Sequence, residues 1–148
     1  MVDLGHLQRL VGLEHGLAVV SVGRADGSVS SSVVNAGVLA HPVTGSVVVG
    51  FVARANAFKV RRLRADARVT VTVRAGWEWQ AVDGTAALIG PLDARPADAV
   101  DVPTLLRDVF RAAGGTHDDW AAYDRVMAAE QRTAILVAPA RVYGNVGA

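Results

Sequence analysis

The first apolar residues fall on one helical stripe, and from residue 17 onward they fall into short alternating runs. Leu4, Leu7, Leu10, Val11 and Leu13 recur at steps of one to three residues, which predicts a helix over 3–15 with one apolar side. Residues 17–22 are rich in β-branched side chains and lead to Asp26-Gly27, a dipeptide that favours a tight hairpin turn. The returning strand spans about 28–38, residues 41–45 make a second turn, and 46–53 form a third strand. A helix of about ten residues follows Ala55. In 69–74, Thr70 and Thr72 alternate with Val71 and Val73, as in a half-buried strand. Residues 77–89 read as a long strand with a bulge at Gly84, stopped by Gly90-Pro91. Helices are expected over 98–113 and 117–130, parted by Gly114-Gly115, and a last strand over 133–137.

Six strands arriving in quick succession, with four helices among them, suit an antiparallel meander that closes into a barrel. The expected class is α+β, in one domain covering 1–148 without repeat, linker or low-complexity tract.

Composition narrows the function. Hydrophobic residues make up 51% of the chain and charged residues 20%, which excludes a disordered protein. No apolar stretch reaches the roughly 18 uncharged residues of a membrane span, and the first residues lack the pattern of a signal peptide, so a cytoplasmic protein is expected. The absence of cysteine removes disulfides, zinc–cysteine sites, iron–sulfur clusters and thiol catalysis. The four histidines have no metal-ligand spacing. His117-Asp118-Asp119 reads better as a helix start, with Thr116 and Asp119 forming a capping box, so no metal is expected.

Charge is uneven. Residues 54–74 carry seven cations (Arg54, Lys59, Arg61, Arg62, Arg64, Arg68 and Arg74) against one acid, Asp66. The other residues carry eight basic and thirteen acidic groups. A local basic block on an otherwise acidic chain suggests one anionic ligand at one place rather than a nucleic-acid surface.

Within that block, Asn56 is a suitable N-cap and places the only lysine, Lys59, at the third helical position. A cation there opposes the helix dipole, while unbonded N–H groups and the dipole's positive end favour phosphate. Arg62 follows at i+3, with Val60 and Leu63 turned inward. The pattern fits either a phosphate seat or a solvated basic face. Trp77 and Trp79 share one face of a strand with Ala81, which suits a wall for a planar ring, a dimer seam or plain core packing. The two faces of the serine-rich strand, Ser30-Ser32-Val34 and Ser31-Val33-Asn35, differ little, so Ser32 and Asn35 are both candidates for a polar groove. No nucleotide loop, Gly-x-Ser-x-Gly elbow or carboxylate pair is present, and no catalytic side chain is assigned; any redox chemistry would belong to a cofactor.

Four stretches in order carry a resemblance: Asp26-Gly27 with its following strand; 57–68 (AFKVRRLRADAR); 76–86 (GWEWQAVDGTA); and 117–123 (HDDWAAY) with 141–144 (RVYG). The chain resembles the pyridoxamine 5′-phosphate oxidase-like split β-barrel proteins, and within them the F420-dependent branch, the B group of flavin/deazaflavin oxidoreductases. The resemblance implies a homodimer with a cofactor groove at each side of the subunit seam. Lys59 would contact the cofactor phosphate with Arg61 close by. The third strand, at Gly50, Phe51 and Val52, would pass along the ring system, and Trp77 and Trp79 would come from the partner subunit. Some relatives carry an arginine at the position of Ala57, a charge that Arg54 could replace here. The implied activity is hydride transfer between reduced coenzyme F420 and a small-molecule organic acceptor. FMN as cofactor, or a carrier without turnover, are the alternatives.

Overall fold

The structure is a computed structural model and describes residues 2–93 and 100–147. Its elements are α1 (Gly5–Leu13), β1 (Leu17–Gly23), β2 (Val29–Ala40), β3 (Val47–Arg54), α2 (Phe58–Ala65), β4 (Arg68–Ala75), β5 (Glu78–Ile89), α3 (Val102–Ala112), α4 (Trp120–Ala129) and β6 (Arg132–Gly144). All strand pairs are antiparallel, and the sheet closes into a barrel in the order β1-β2-β3-β6-β5-β4.

Two-residue periodicity divides the strands between two cores. Val49 and Phe51 of β3 and Ile135 and Val137 of β6 pack inside the barrel with Val20, Val71, Val73 and Val82. The alternate residues, Val48 of β3 and Ala134 and Leu136 of β6, face outward under α3 and α4, against Leu105, Leu106, Val109 and Tyr123. So β3 and the first half of β6 are buried on both faces. By contrast, β1 and β4 are buried on one face only. The N-cap Leu4 and Leu7, Leu10 and Val11 of α1 join the barrel core, whereas Leu13, expected on the same side, is 62% exposed.

Several boundaries differ from expectation for identifiable reasons. The last strand runs to Gly144 rather than stopping at 137. A register shift at Asp83/Gly84 brings Pro139 opposite Gly84, so a residue without an N–H is tolerated and the ladder continues to Tyr143 and Gly144. Helix α4 starts at Trp120, because Asp119, not Thr116, caps it by accepting from the Ala122 N–H. Helix α3 starts at Val102 behind the cap Asp101; of its expected first residues, 98 and 99 lie outside the described residues. Gly37 of β2 permits the close approach of α3, since a Cβ there would meet the Ala112 backbone at 2.2 Å. Among the described residues, no helix is long and apolar enough to cross a membrane.

Candidate functional site

The chain leaves β3 at Arg54 through a turn in which the Ala57 N–H donates to the Arg54 carbonyl (3.0 Å). Val60 and Arg61 then both donate to the Ala57 carbonyl, so Ala57 is the N-cap and makes no side-chain capping bond. The expected Asn56 cap is therefore corrected: the turn consumes one more residue, and Lys59 becomes the second helical position. Among the described residues, the amides of Asn56, Phe58 and Lys59 donate to no protein acceptor. An unpaired lysine and unbonded amides thus meet at the positive end of α2.

These groups border a groove of about 520 Å³ lined by Val33, Asn35, Val52, Arg54, Lys59 and Arg132, among others. Asn35, Val52, Arg54 and Lys59 were expected from the sequence, and the structure brings them together. Arg132 was not. It lies directly opposite Arg54 in the β3–β6 ladder. Both arginines reach one carboxylate, Glu130, Arg54 at 2.9 Å and Arg132 at 3.3 Å. Lys59 has no acidic partner among the described residues, so the groove sets three cations against one acid that only the two arginines reach. The Nε of Arg132 is buried and has no hydrogen-bond partner. An orphaned buried donor costs on the order of 1–3 kcal/mol until an acceptor reaches it. The groove therefore fits an anionic group.

Other expected residues lie elsewhere. Phe51 is wholly buried in the barrel core, so its side chain offers nothing to the groove. Gly50 faces α3, where a Cβ would meet Leu39 and Leu136 side chains at 2.8 and 3.2 Å. Ser32 lies on the opposite face of β2 from Asn35, paired with the buried Val20. Arg62 is held away, its Nε donating to the Gly23 carbonyl at 2.7 Å. Arg61 lies over the Phe58 ring, 5.9 Å from its centroid. Trp77 is 94% exposed in the β4–β5 turn rather than within a strand. Trp79 stands edge-on to Tyr143, and neither tryptophan lines the groove. Four of the seven block cations have acids: Arg54 with Glu130, Arg64 with Asp93, Arg68 with Asp66, and Arg74 with Glu14.

A wider hollow of about 600 Å³ lies on the outer face of β1, β4 and β5, bordered by Ser21, Arg68, Thr70 and Asp83. Its charges are already matched. Asp66 is pulled down to about 2 by Arg68, and Asp83 is held below the usual carboxylate value by Arg141 and Thr70. Unmatched charge, not size, marks the Lys59 groove as the candidate site.

No protein-family model matches the sequence, and a search of curated proteins gives no match. Solved structures do match. A conserved hypothetical protein from Mycobacterium tuberculosis has a TM-score of 0.66 at 15% identity, over 97% of this chain and 84% of that one. An F420 reductase has a TM-score of 0.58 at 15% identity, over 86% of this chain and 88% of that one. A pyridoxamine 5′-phosphate oxidase-related, FMN-binding protein from Nostoc punctiforme has a TM-score of 0.63 at 9% identity, over 96% and 84%. The fold expected from the sequence resemblance, a split β-barrel with flanking helices, is the fold observed.

Proposed function

We propose that the groove seats the phosphate of a flavin-type redox cofactor, coenzyme F420 ahead of FMN, and that the protein serves hydride transfer to an organic acceptor. The observation that carries this is the meeting of Arg54, Lys59 and Arg132 at one groove, where a single carboxylate, Glu130, is divided between the two arginines and Lys59 is left without an acid among the described residues. When bound, reduced F420 would supply the hydride, and water would supply the proton that completes reduction of the acceptor.

The protein's own groups do the holding. Lys59 and the first-turn amides of α2 donate to phosphate oxygens. Glu130 fixes both arginines so that their charge is in place before the ligand arrives. Val52 and Val33 give the groove an apolar side, which suits a ring system and excludes water from it. The chain is further proposed to dimerise. Val33 lies both at the groove and on the uncovered face of β2, so a second copy on that face would close the groove's open side.

Absorbance titrations with F420 and, separately, with FMN test the cofactor. Turnover of reduced F420 with enone, quinone and tetrapyrrole acceptors tests the activity. Binding of neither cofactor overturns the reading, and binding without turnover of any acceptor makes the protein a carrier.

A further inference from the structure

Beside the Lys59 groove, and sharing Asn35, Val52 and Arg132 with it, a crevice of about 200 Å³ opens between the barrel and the α3–α4 pair. Its other walls are Val109, Phe110, Ala113, Tyr123 and Met127. A neighbouring recess of about 370 Å³, reaching His15 and Gly16, adjoins it at Asn35, Phe110 and Ala113. The crevice wall is apolar except for Asn35, the Tyr123 hydroxyl and Arg132. Tyr123 is committed, its hydroxyl donating to the Leu106 carbonyl at 3.2 Å.

Arg132 is not fully committed. Glu130 is held at 2.9 Å by Arg54 and only at 3.3–3.4 Å by the Arg132 Nη2, while the Arg132 Nε has no partner. Nε is buried, so it is the loosely held Nη end of this guanidinium that can take a second carboxylate, the acid that matches its planar fork. An apolar slot with one such cation at its mouth selects a molecule that is apolar over most of its surface and anionic at one end.

We propose that this crevice binds an aromatic or polycyclic carboxylic acid of about one or two rings, with the rings against Phe110 and Met127 and the carboxylate on Arg132. It goes beyond the cofactor reading and does not depend on it. The binding site itself stands on the crevice.

The test uses 2-naphthoate and its uncharged counterpart 2-naphthylmethanol, titrated calorimetrically into the whole protein without cofactor. We expect 2-naphthoate to bind once per chain, about tenfold or more tightly than the alcohol. Arg132→Gln should remove that preference while leaving alcohol binding unchanged, and Arg132→Lys should restore part of it. Met127→Trp, which fills the slot, should abolish binding of both; circular dichroism checks that this variant folds, and the Arg132 pair decides the matter if it does not. Equal affinity for acid and alcohol, or an unchanged preference in Arg132→Gln, overturns the proposal. If 2-naphthoate binds as expected but neither F420 nor FMN does, the crevice stands and the cofactor reading falls. If the cofactors bind and 2-naphthoate does not, the crevice proposal falls alone.

Discussion

Arg54 and Arg132 are register partners across β3 and β6, and they divide one carboxylate, Glu130, between them. Two guanidinium groups side by side repel unless an anion lies between them, so Glu130 holds the pair while leaving net positive charge for a ligand. Arg54 is largely exposed and Glu130 mostly covered, which keeps the stabilising part of this pair within about 1 kcal/mol. Glu130→Gln should therefore cost little in thermal stability and raise affinity for inorganic phosphate several-fold at low salt. Phosphate titration of the variant checks this. A loss of affinity would mean that the orienting of the two arginines by Glu130 outweighs its competing charge.

Lys59→Ala should weaken cofactor binding and leave the fold intact. Lys59 donates to no protein group among the described residues, and as a cation in the first turn of α2 it does nothing for the helix. One charge-assisted contact to phosphate is worth roughly 1.5–3 kcal/mol, or about 10- to 150-fold in affinity. Parallel titrations with F420 and FMN, beside a thermal melt, give the answer. Unchanged affinity for both would remove Lys59 from the phosphate seat.

Acid should destabilise the protein through three carboxylate–arginine pairs. Asp83 is held below the usual 3.8 by hydrogen bonds from Arg141 and Thr70, Asp124 by Arg107, and Asp66 down to about 2 by Arg68. Each folded value lies below its unfolded one, so the stabilisation is complete above 3.8 and is lost as pH falls toward the folded values. Melting temperature should decline from about pH 4 to pH 2, and Asp83→Asn should make that decline shallower. A variant with the same slope as the parent would clear Asp83 of this role.

Local signals were legible in the sequence where they depend on neighbouring residues. Gly27 adopts the positive φ (88°) that the Asp26-Gly27 hairpin turn requires, and Gly84 lies at the bulge its place in a strand suggested. What needed long-range register was hidden. Arg132 gives no signal of its own, because its value comes from meeting Arg54 across a ladder between segments far apart in sequence. The basic block was visible, but its matching was not. Glu14, Asp93 and Glu130 reach it from three other parts of the chain and neutralise arginines that sequence alone counts as available. Phe51 illustrates the same limit, since alternation cannot tell which face of a doubly buried strand looks into the barrel.

Dimerisation should run through the uncovered outer face of β1 and β2. Val19 and Val33 are cross-strand partners there and are 39% and 64% exposed, beside Leu17 at 46%. Contiguous exposed apolar side chains on a sheet face mark an interaction surface. We expect light scattering to give twice the 15.4 kDa chain mass at micromolar concentration. A two-fold interface uses the same patch on both copies, so Val33→Asp would bury two carboxylates at once and yield the monomer. A monomeric parent protein would refute the dimer, and a dimeric Val33→Asp would move its interface elsewhere.

F420 should bind more tightly than FMN and lose more affinity as salt rises. F420 carries a phosphate-and-glutamate tail with several negative charges, whereas FMN ends in one phosphate. The structure narrows which cations can answer that tail. Arg64, Arg68 and Arg74 are paired with acids, and Arg62 is bonded to the Gly23 carbonyl. Lys59, Arg54 and Arg132 remain at the groove, with Arg61 exposed on the next turn of α2. Exposed charges are screened over about 8–10 Å at 0.1–0.15 M ionic strength, so contacts to a long charged tail weaken more than one enclosed phosphate contact. Arg54→Gln and Arg61→Gln should therefore narrow the gap between the two cofactors, and Arg62→Gln should leave it nearly unchanged. Titrations of both cofactors at low and high salt measure this directly. Equal salt slopes would show that these cations do not meet the tail, and tighter binding of FMN would make FMN the cofactor.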